Sequence, residues 1–463
     1  MKKQGMFTRD KSFYKTFFAL YFPLVLYQIV TLSVNLADNI MIGAYSQNAL
    51  SGIAAVNQIQ FVFMQIIMGG GDALVAMSSQ YWGQKDKPAI KRVASSALLF
   101  GSMVGVLLFL CASLFPLSMV RIFTDDMAVV AEGVEYLSLI RFTYVLFPIS
   151  ALLLALLRSI ETVRIGLYVS LVSLVLNCSL NYTFIFGHFG APCLGAKGAA
   201  VGTLVARAVE LLIILFYVLR ADKKLCAKMR ELFAYDSTVF PLYVKTGWRF
   251  MLVSGLFGLS TALQTVILGH MTSDAIAANS AASTLFQVLK VMAVGASSAS
   301  AVIIGKTIGK ASSEEECLPQ VKSYAKTLQL MYVCIGAFIS ISLFLLRTPV
   351  LSLYSSLTPE AYRMANAFLL VLCVTGFGTA YQMPTLVGIV RGGGDSKFIL
   401  YNDLISIWGI VLPMSFLAAF VFHWPPVAVI FCLNADQIFK CGAAFVKVNR
   451  YNWMKKIGTL TSE

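Results

Sequence analysis

Long apolar runs recur along the whole chain, separated by short polar breaks. A membrane span needs about 20 mostly apolar residues, because the hydrocarbon core is ~30 Å thick and a helix rises ~1.5 Å per residue. Twelve stretches meet that requirement: 14–42, 50–80, 93–120, 130–158, 165–187 and 197–220, then 246–270, 275–304, 323–347, 359–390, 398–423 and 424–449. The break between the last two rests on His423-Trp424-Pro425-Pro426. The pattern predicts an all-α integral membrane protein. The run from Phe17 to Ala37 follows Lys2, Lys3, Arg9, Lys11 and Lys15 as a signal peptide would. It is too long for one and has no small-residue cleavage site, so it is read as a retained first span.

Composition narrows the class. Hydrophobic residues make up 58% and charged residues 13% of the chain, with a mean hydropathy of +0.78. Soluble chains carry about 25% charged residues, so this one lacks the charge to solvate a globular surface. That excludes a soluble enzyme, a disordered chain and a nucleic-acid binder. The net charge of +14 is therefore read by position. Gaps after odd-numbered spans and the span ends beside them hold Arg121, Lys197, Arg347 and Arg363, and Arg141, Arg207 and Lys290 fall deeper within spans. The other basic residues fall to the termini and the alternate gaps, as with Lys85, Lys87, Lys91 and Arg92. This bias predicts both termini in the cytoplasm, and the expected location is the plasma (inner) membrane. The nine cysteines are irregularly spaced, contain no CxxC, and read as small core hydrophobes. Trp82, Trp248, Trp424 and Trp453 fall near span ends, where interfacial aromatics are expected.

The polar, basic stretch 221–245 divides the chain into an N-terminal six-helix lobe, 1–220, and a C-terminal one, 246–449, with a cytoplasmic tail over 450–463. The lobes repeat one another. Met41-Ile42-Gly43 and Ala49-Leu50-Ser51-Gly52 parallel Ile267-Leu268-Gly269 and Ala275-Ile276-Ala277-Ala278, an offset of 226 that also pairs Gly83 with Gly309. Six spans per repeat is an even number, so both halves enter from the same side. The expectation is two pseudo-symmetric six-helix bundles, parallel repeats about an axis along the membrane normal, enclosing a central cavity. That arrangement suits alternating access.

Several segments carry a family resemblance. They are Pro23 and Asn35-Leu36-Ala37-Asp38-Asn39-Ile40-Met41-Ile42-Gly43 in the first span, and Ser79-Gln80-Tyr81-Trp82-Gly83 closing the second. Asn177 and Asn181 lie in the fifth, Gly198-Ala199-Ala200-Val201-Gly202-Thr203 opens the sixth, and Arg391-Gly392-Gly393-Gly394-Asp395 follows the tenth. In order and spacing they resemble the multidrug and toxic compound extrusion (MATE) antiporters, most closely the DinF-like branch. The resemblance implies cation-coupled efflux of small organic compounds. In the DinF-like branch an Asp commonly stands where this chain has Asn181, which implies one fewer carboxylate here. Other members place carboxylates in their seventh and tenth spans. The seventh span here has Gln264 where the offset maps Asp38, and the tenth has Tyr381 and Gln382.

A charge at mid-bilayer costs at least ~2.5–3.5 kcal/mol on insertion scales, so each one asks for a reason. Asp38 lies about 36 Å along the first helix from Tyr14, in its outer half. Asn35 and Asn39 share or border its face. Asn177, Asn181 and Thr203 fall at the same depth on neighbouring spans. A carboxylate withdrawn from water gains affinity for a proton. Ringed by amide and hydroxyl oxygens, it also suits Na⁺. Asp38, Asn35, Asn177, Asn181 and Thr203 are therefore the expected coupling site for H⁺ or Na⁺, with Asp38 as the Na⁺ ligand. Pro23 removes a backbone hydrogen bond and is the expected hinge. Lys290, Gln264, Tyr381 and Gln382 are candidate substrate contacts, and Lys290 unpaired would favour anionic or zwitterionic cargo. Arg207 and Glu210 are spaced to pair on one helix face. Asp72, Asp403 and Asp436 read as loop anchors or gates near inner ends.

These residues point to a secondary antiporter, expected as a monomer in the bilayer, with no cofactor and no nucleic-acid partner. The alternative is a flippase for lipid-linked oligosaccharides, which would need a cavity rich in Arg and Lys. An enzyme is disfavoured, since His, Cys and carboxylates do not cluster at one depth.

Overall fold

The computed structural model describes residues 7–124, 126–352 and 358–456. Each of the twelve apolar runs is helical. In chain order they are α1 (Lys11–Tyr45), α2 (Gln47–Gln84), α3 (Lys87–Leu114), α4 (Met127–Ile140 with Thr143–Ser159), α5 (Arg164–Phe186), α6 (Gly195–Ala221), α7 (Val239–Gly269), α8 (Ser273–Lys310), α9 (Glu314–Leu351), α10 (Pro359–Val390), α11 (Ser396–Val421) and α12 (Pro426–Arg450). Eleven are long and apolar enough to span alone, and α4 makes the twelfth as a pair bent by 55°. Arg141 sits in that bend with its guanidinium over the Phe142 ring, so this charge marks a break in the span rather than an uninterrupted apolar helix.

Local chemistry sets the ends. Asp86 caps α3 by accepting from the Ala89 amide at 3.0 Å, and Thr272 and Thr358 cap α8 and α10 in the same way. Gly187, at φ +74°, closes α5 in the left-handed region. Between α11 and α12 the chain turns at His423 (φ +50°) and restarts at Pro425-Pro426, where the sequence places the break.

Contacts gather the chain into two compact units. The first comprises Leu26–Ser78 and Asp86–Gly255. Within it α5 and α6 lie so close that a Cβ at Gly198 would collide with the Phe184 carbonyl. Gly105 brings α3 onto Tyr144 of α4 in the same manner. The early part of α7 belongs here: Tyr243 Oη donates to the Gly70 carbonyl at 2.9 Å, and Gly69 abuts the backbone of Phe250. The stretch 221–245 is ordered against this unit, with Leu225, Ala227, Leu232 and Val239 buried. Lys224 Nζ donates to the carbonyls of Ile160 (2.7 Å) and Glu161 (3.0 Å). Glu231 meets Lys91 at 2.9 Å, and that hydrogen bond holds its carboxyl below the usual range.

The second unit comprises the chain through Val25, Ser79–Lys85, and Leu256 onward. Its core is built from α8, α10, α11 and α12 side chains such as Ala282, Phe368, Leu369, Ile407 and Val429. The first half of α1 packs here: the Phe13 and Tyr324 rings lie 4.4 Å apart, and Gly295 of α8 receives Val25. Gly83 and Gly309, equivalent by the sequence offset, pack the ends of α2 and α8 against each other, and a Cβ on either would strike the facing backbone. Trp453 is not interfacial: its side chain is fully buried against Gly393, with Nε1 donating to the Val448 carbonyl at 2.9 Å. Asp395, in the turn before α11, is pushed up by burial. Lys447 (2.8 Å) and Lys455 (3.1 Å) outweigh that push and hold its carboxyl below the ordinary range.

Candidate functional site

Within the first unit, three helices bring the predicted coupling residues together. Asn177 and Asn181 lie one turn apart on α5 and are buried. Asn181 Nδ2 donates to Asp38 Oδ1 of α1 at 2.6 Å and shares its other hydrogen with Asn177 Oδ1 at 3.3 Å. Asn177 Nδ2 in turn donates to Thr203 Oγ1 of α6 at 3.3 Å. The donors all lie on α5: Asn181 donates to the carboxylate of α1 and to Asn177, which donates on to the Thr203 hydroxyl of α6. Asn181 Oδ1 is buried and has no hydrogen-bond partner among the described residues. Buried polar oxygens are rarely left so. Carboxylate, amide carbonyl and hydroxyl oxygens are the donors a hard cation prefers.

The seat of Asn181 depends on a glycine. A Cβ at Gly202 would collide with Asn181 Oδ1 itself. Gly202→Ala is therefore expected to displace the amide from Asp38 and reduce export about tenfold with membrane levels unchanged. That loss corresponds to about 1.4 kcal/mol of site distortion, read as dye efflux per unit of protein. Asn35 stands outside this network. It is exposed and makes no side-chain hydrogen bond among the described residues, and Asn39 is exposed too. Asn35→Ala serves as the contrast, with efflux kept within about twofold of wild type, an effect below ~0.5 kcal/mol.

Arg207 lies close enough to act on Asp38 electrostatically, but its guanidinium is committed to Glu210 at 2.9 Å and stacks over Phe147. The spacing-based pairing of Arg207 with Glu210 thus holds. Asp72 ion-pairs with Arg158 at 3.1 Å, joining α2 to the end of α4. Pro23 is half-buried inside an uninterrupted α1.

The second unit holds a polar cluster that sequence reading passed over. Lys440 of α12 is buried and bridges Asp403 of α11 at 2.8 Å and Asp436 at 3.1 Å. These carboxylates, expected as loop anchors or gates, are partners of one buried lysine. The signal was the i,i+4 pair Asp436/Lys440, masked because Lys440 was assigned to the inner face along with the other basic residues. Gln437 Nε2 donates to Asp436 at 2.8 Å. Its Oε1 accepts from Thr379 Oγ1 (3.0 Å) and Gln382 Nε2 (2.8 Å). Lys290 of α8 feels the charge of Asp436 and lies 5.7 and 6.0 Å from the Phe257 and Phe286 ring centres, with no ion pair among the described residues. Gln382 thus reaches Asp436 only through Gln437, and Lys290 only through its electrostatic field. Tyr381 does not reach it: its hydroxyl donates to Gln329 Oε1 at 2.9 Å. Gln264 is half-buried and makes no side-chain hydrogen bond among the described residues. Nor do the described residues contain a group of three His, Cys, Asp or Glu side chains placed to hold a metal.

A family model described as MatE matches residues 23–183 and 250–417, which include Asp38, Asn177 and Asn181 but not Thr203. The chain is 26% identical over 413 residues to a probable multidrug resistance protein NorM of Streptococcus pneumoniae R6, covering 86% of each. It is 23% identical over 420 residues to the uncharacterized transporter YisQ of Bacillus subtilis, covering 88% of each. Among solved structures, a MATE protein in complex with MaL6 superposes with a TM-score of 0.85 at 16% identity, covering 99% of this chain and 100% of that one. A mutant of the Vibrio cholerae MATE transporter VcmN superposes at 0.84 and 19% identity, covering 95% and 97%. At these identities the structures establish the fold.

Proposed function

We infer the coupling chemistry from one premise: this chain belongs to the MATE (MatE) family. It is a multi-pass membrane protein, an ion-coupled multidrug efflux antiporter, and not an enzyme. Drug-like small molecules are its substrates. The finer reading is that Asp38 is the group that loads and releases the coupling ion. The observation that carries it is the 2.6 Å contact of a half-buried intramembrane carboxylate with Asn181, backed by Asn177 and Thr203. An ionisable group at such a place is a functional site by default.

In this reading H⁺ or Na⁺ enters down its gradient, occupies the oxygens around Asp38, and drives the return of the carrier after outward release of the organic solute. With Asn181 in place of a second acid, the site neutralises one positive charge per cycle. One monovalent ion moved across 100 mV supplies about 2.3 kcal/mol, enough for roughly 40-fold accumulation of a neutral solute. Both termini lie in the cytoplasm of a plasma (inner) membrane protein, on the strength of the basic-residue bias. The DinF-like placement rests on the sequence resemblance, and a coupling carboxylate confined to α1, with Asn181 on α5, is this chain's departure from that branch. Lys290 and Gln382, the latter linked to Asp436 through Gln437, are the polar substrate contacts of the second unit. The flippase alternative needs free cations, and Arg207 is neutralised by Glu210.

The test is a growth and efflux panel of dyes and antibiotics, with and without an uncoupler and with Na⁺ replaced by K⁺. Export collapsing under the uncoupler or on loss of Na⁺ is the expected result. Export indifferent to both ions would overturn ion coupling.

A further inference from the structure

A groove of about 630 Å³ runs along the second unit between α9, α10 and α12. Its floor is polar but self-satisfied. Gln329 accepts from Tyr381 (2.9 Å) and Asn449 (3.3 Å) and donates to the Ala325 carbonyl (3.2 Å). Its walls are apolar, with Leu330, Val333, Phe377 and Phe445 all well exposed toward the surroundings of the unit. Phe7 covers one end. It is held there by the next residue, Thr8, whose amide donates to Thr327 Oγ1 at 2.9 Å.

Charge is placed at one end only. Lys322, Lys326 and Leu330 follow at intervals of four on α9, so they form one ridge with about 6 Å between steps. Val333 continues the ridge toward the middle of the span. Lys326 lines the groove with no ion pair or hydrogen bond among the described residues, and Lys322 lies over the Tyr451 ring at 5.2 Å. The ridge therefore passes from ammonium groups to aliphatic side chains over a few turns, with the Gln329 amide beside it. A phospholipid has the same profile, with its phosphate at the interface and its chains in the core. Basic pockets between helices on the cytoplasmic side are suited to anionic lipid headgroups.

We propose that this groove holds one anionic phospholipid of the inner leaflet, its phosphate on Lys322 and Lys326 and one acyl chain along Leu330, Val333, Phe377 and Phe445. The leaflet rests on the cytoplasmic termini proposed above. The binding itself does not depend on orientation or on coupling through Asp38.

The experiment uses the delipidated full chain in detergent, incubated with phosphatidylglycerol or with phosphatidylcholine of the same acyl chains, and counts retained lipid by native mass spectrometry. Wild type should retain phosphatidylglycerol with a preference of roughly 30-fold, two basic contacts at about 1 kcal/mol each. Lys322→Gln with Lys326→Gln should lose that preference. Leu330→Trp, which fills the groove, should reduce retention of both lipids. Asp38→Asn should retain lipid like wild type, so failure of the coupling reading would leave this one standing. Equal retention by wild type and the double lysine variant would overturn the proposal. So would displacement of the lipid by millimolar inorganic phosphate, which would make the lysines a site for a free anion. A Leu330→Trp variant that changes the oligomeric state and not lipid retention would assign the groove to a second copy of the chain.

Discussion

Asp38→Asn is expected to abolish gradient-driven export, lowering it at least about 100-fold to the level of passive leak, while the protein still accumulates in the membrane. A 100-fold loss is about 2.7 kcal/mol of transition-state stabilisation. The substitution keeps the volume of the side chain and leaves an oxygen that can accept from Asn181 Nδ2, so the α1–α5 contact at 2.6 Å has a substitute. It removes the charge that a proton cancels or a sodium ion pairs with. Asp38→Glu keeps the charge and should retain partial export, because a longer side chain must share the space with Asn181. Energised vesicles and a fluorescent cationic dye would read both variants. Efflux of the Asn variant at the wild-type rate would remove Asp38 from the mechanism.

The second large effect lies in the other unit and concerns stability. Lys440→Met should destabilise the protein by about 3–5 kcal/mol, since it strands two carboxylates that share one buried ammonium. Asp436 is itself buried, and among the described residues its hydrogen-bonding partners are Lys440 and the Gln437 amide, so it bears most of the loss. Adding Asp403→Asn and Asp436→Asn to Lys440→Met should recover most of the lost stability, because neutral amides need no counter-charge. Thermal unfolding in detergent, followed by size-exclusion chromatography, measures all of these variants. A Lys440→Met variant as stable as wild type would show that water already reaches the carboxylates.

The spans were legible because hydrophobic length is a one-dimensional property: each predicted run is helical, although the fourth is a bent pair and α7 and α9 begin several residues earlier than their apolar cores. The coupling cluster was partly legible. Asn177 and Asn181 announce a shared helix face by their spacing, and helix depth places Asp38 level with them. Helical spacing alone could not separate Asn35, which is exposed, from Asp38, which turns inward to Asn181. That distinction is set by where α5 packs on α1, a three-dimensional property. Gly202 shows the same limit, since a glycine in an apolar helix gives no sign that it makes room for one amide oxygen. Lys440 was misplaced because charge counting assigns basic residues to membrane faces. A lysine with two carboxylates can instead stay inside. Trp453 was misplaced because proximity to a span end does not tell an interfacial ring from one folded back onto Gly393.

The most direct test of the coupling account is substrate movement in proteoliposomes after a sudden imposition of a pH or Na⁺ gradient, with wild type and Asp38→Asn reconstituted side by side. Wild type should move substrate in response to at least one of the two gradients, and Asp38→Asn to neither. Substrate movement through the Asn variant at the wild-type initial rate, under the same gradient, would contradict the account.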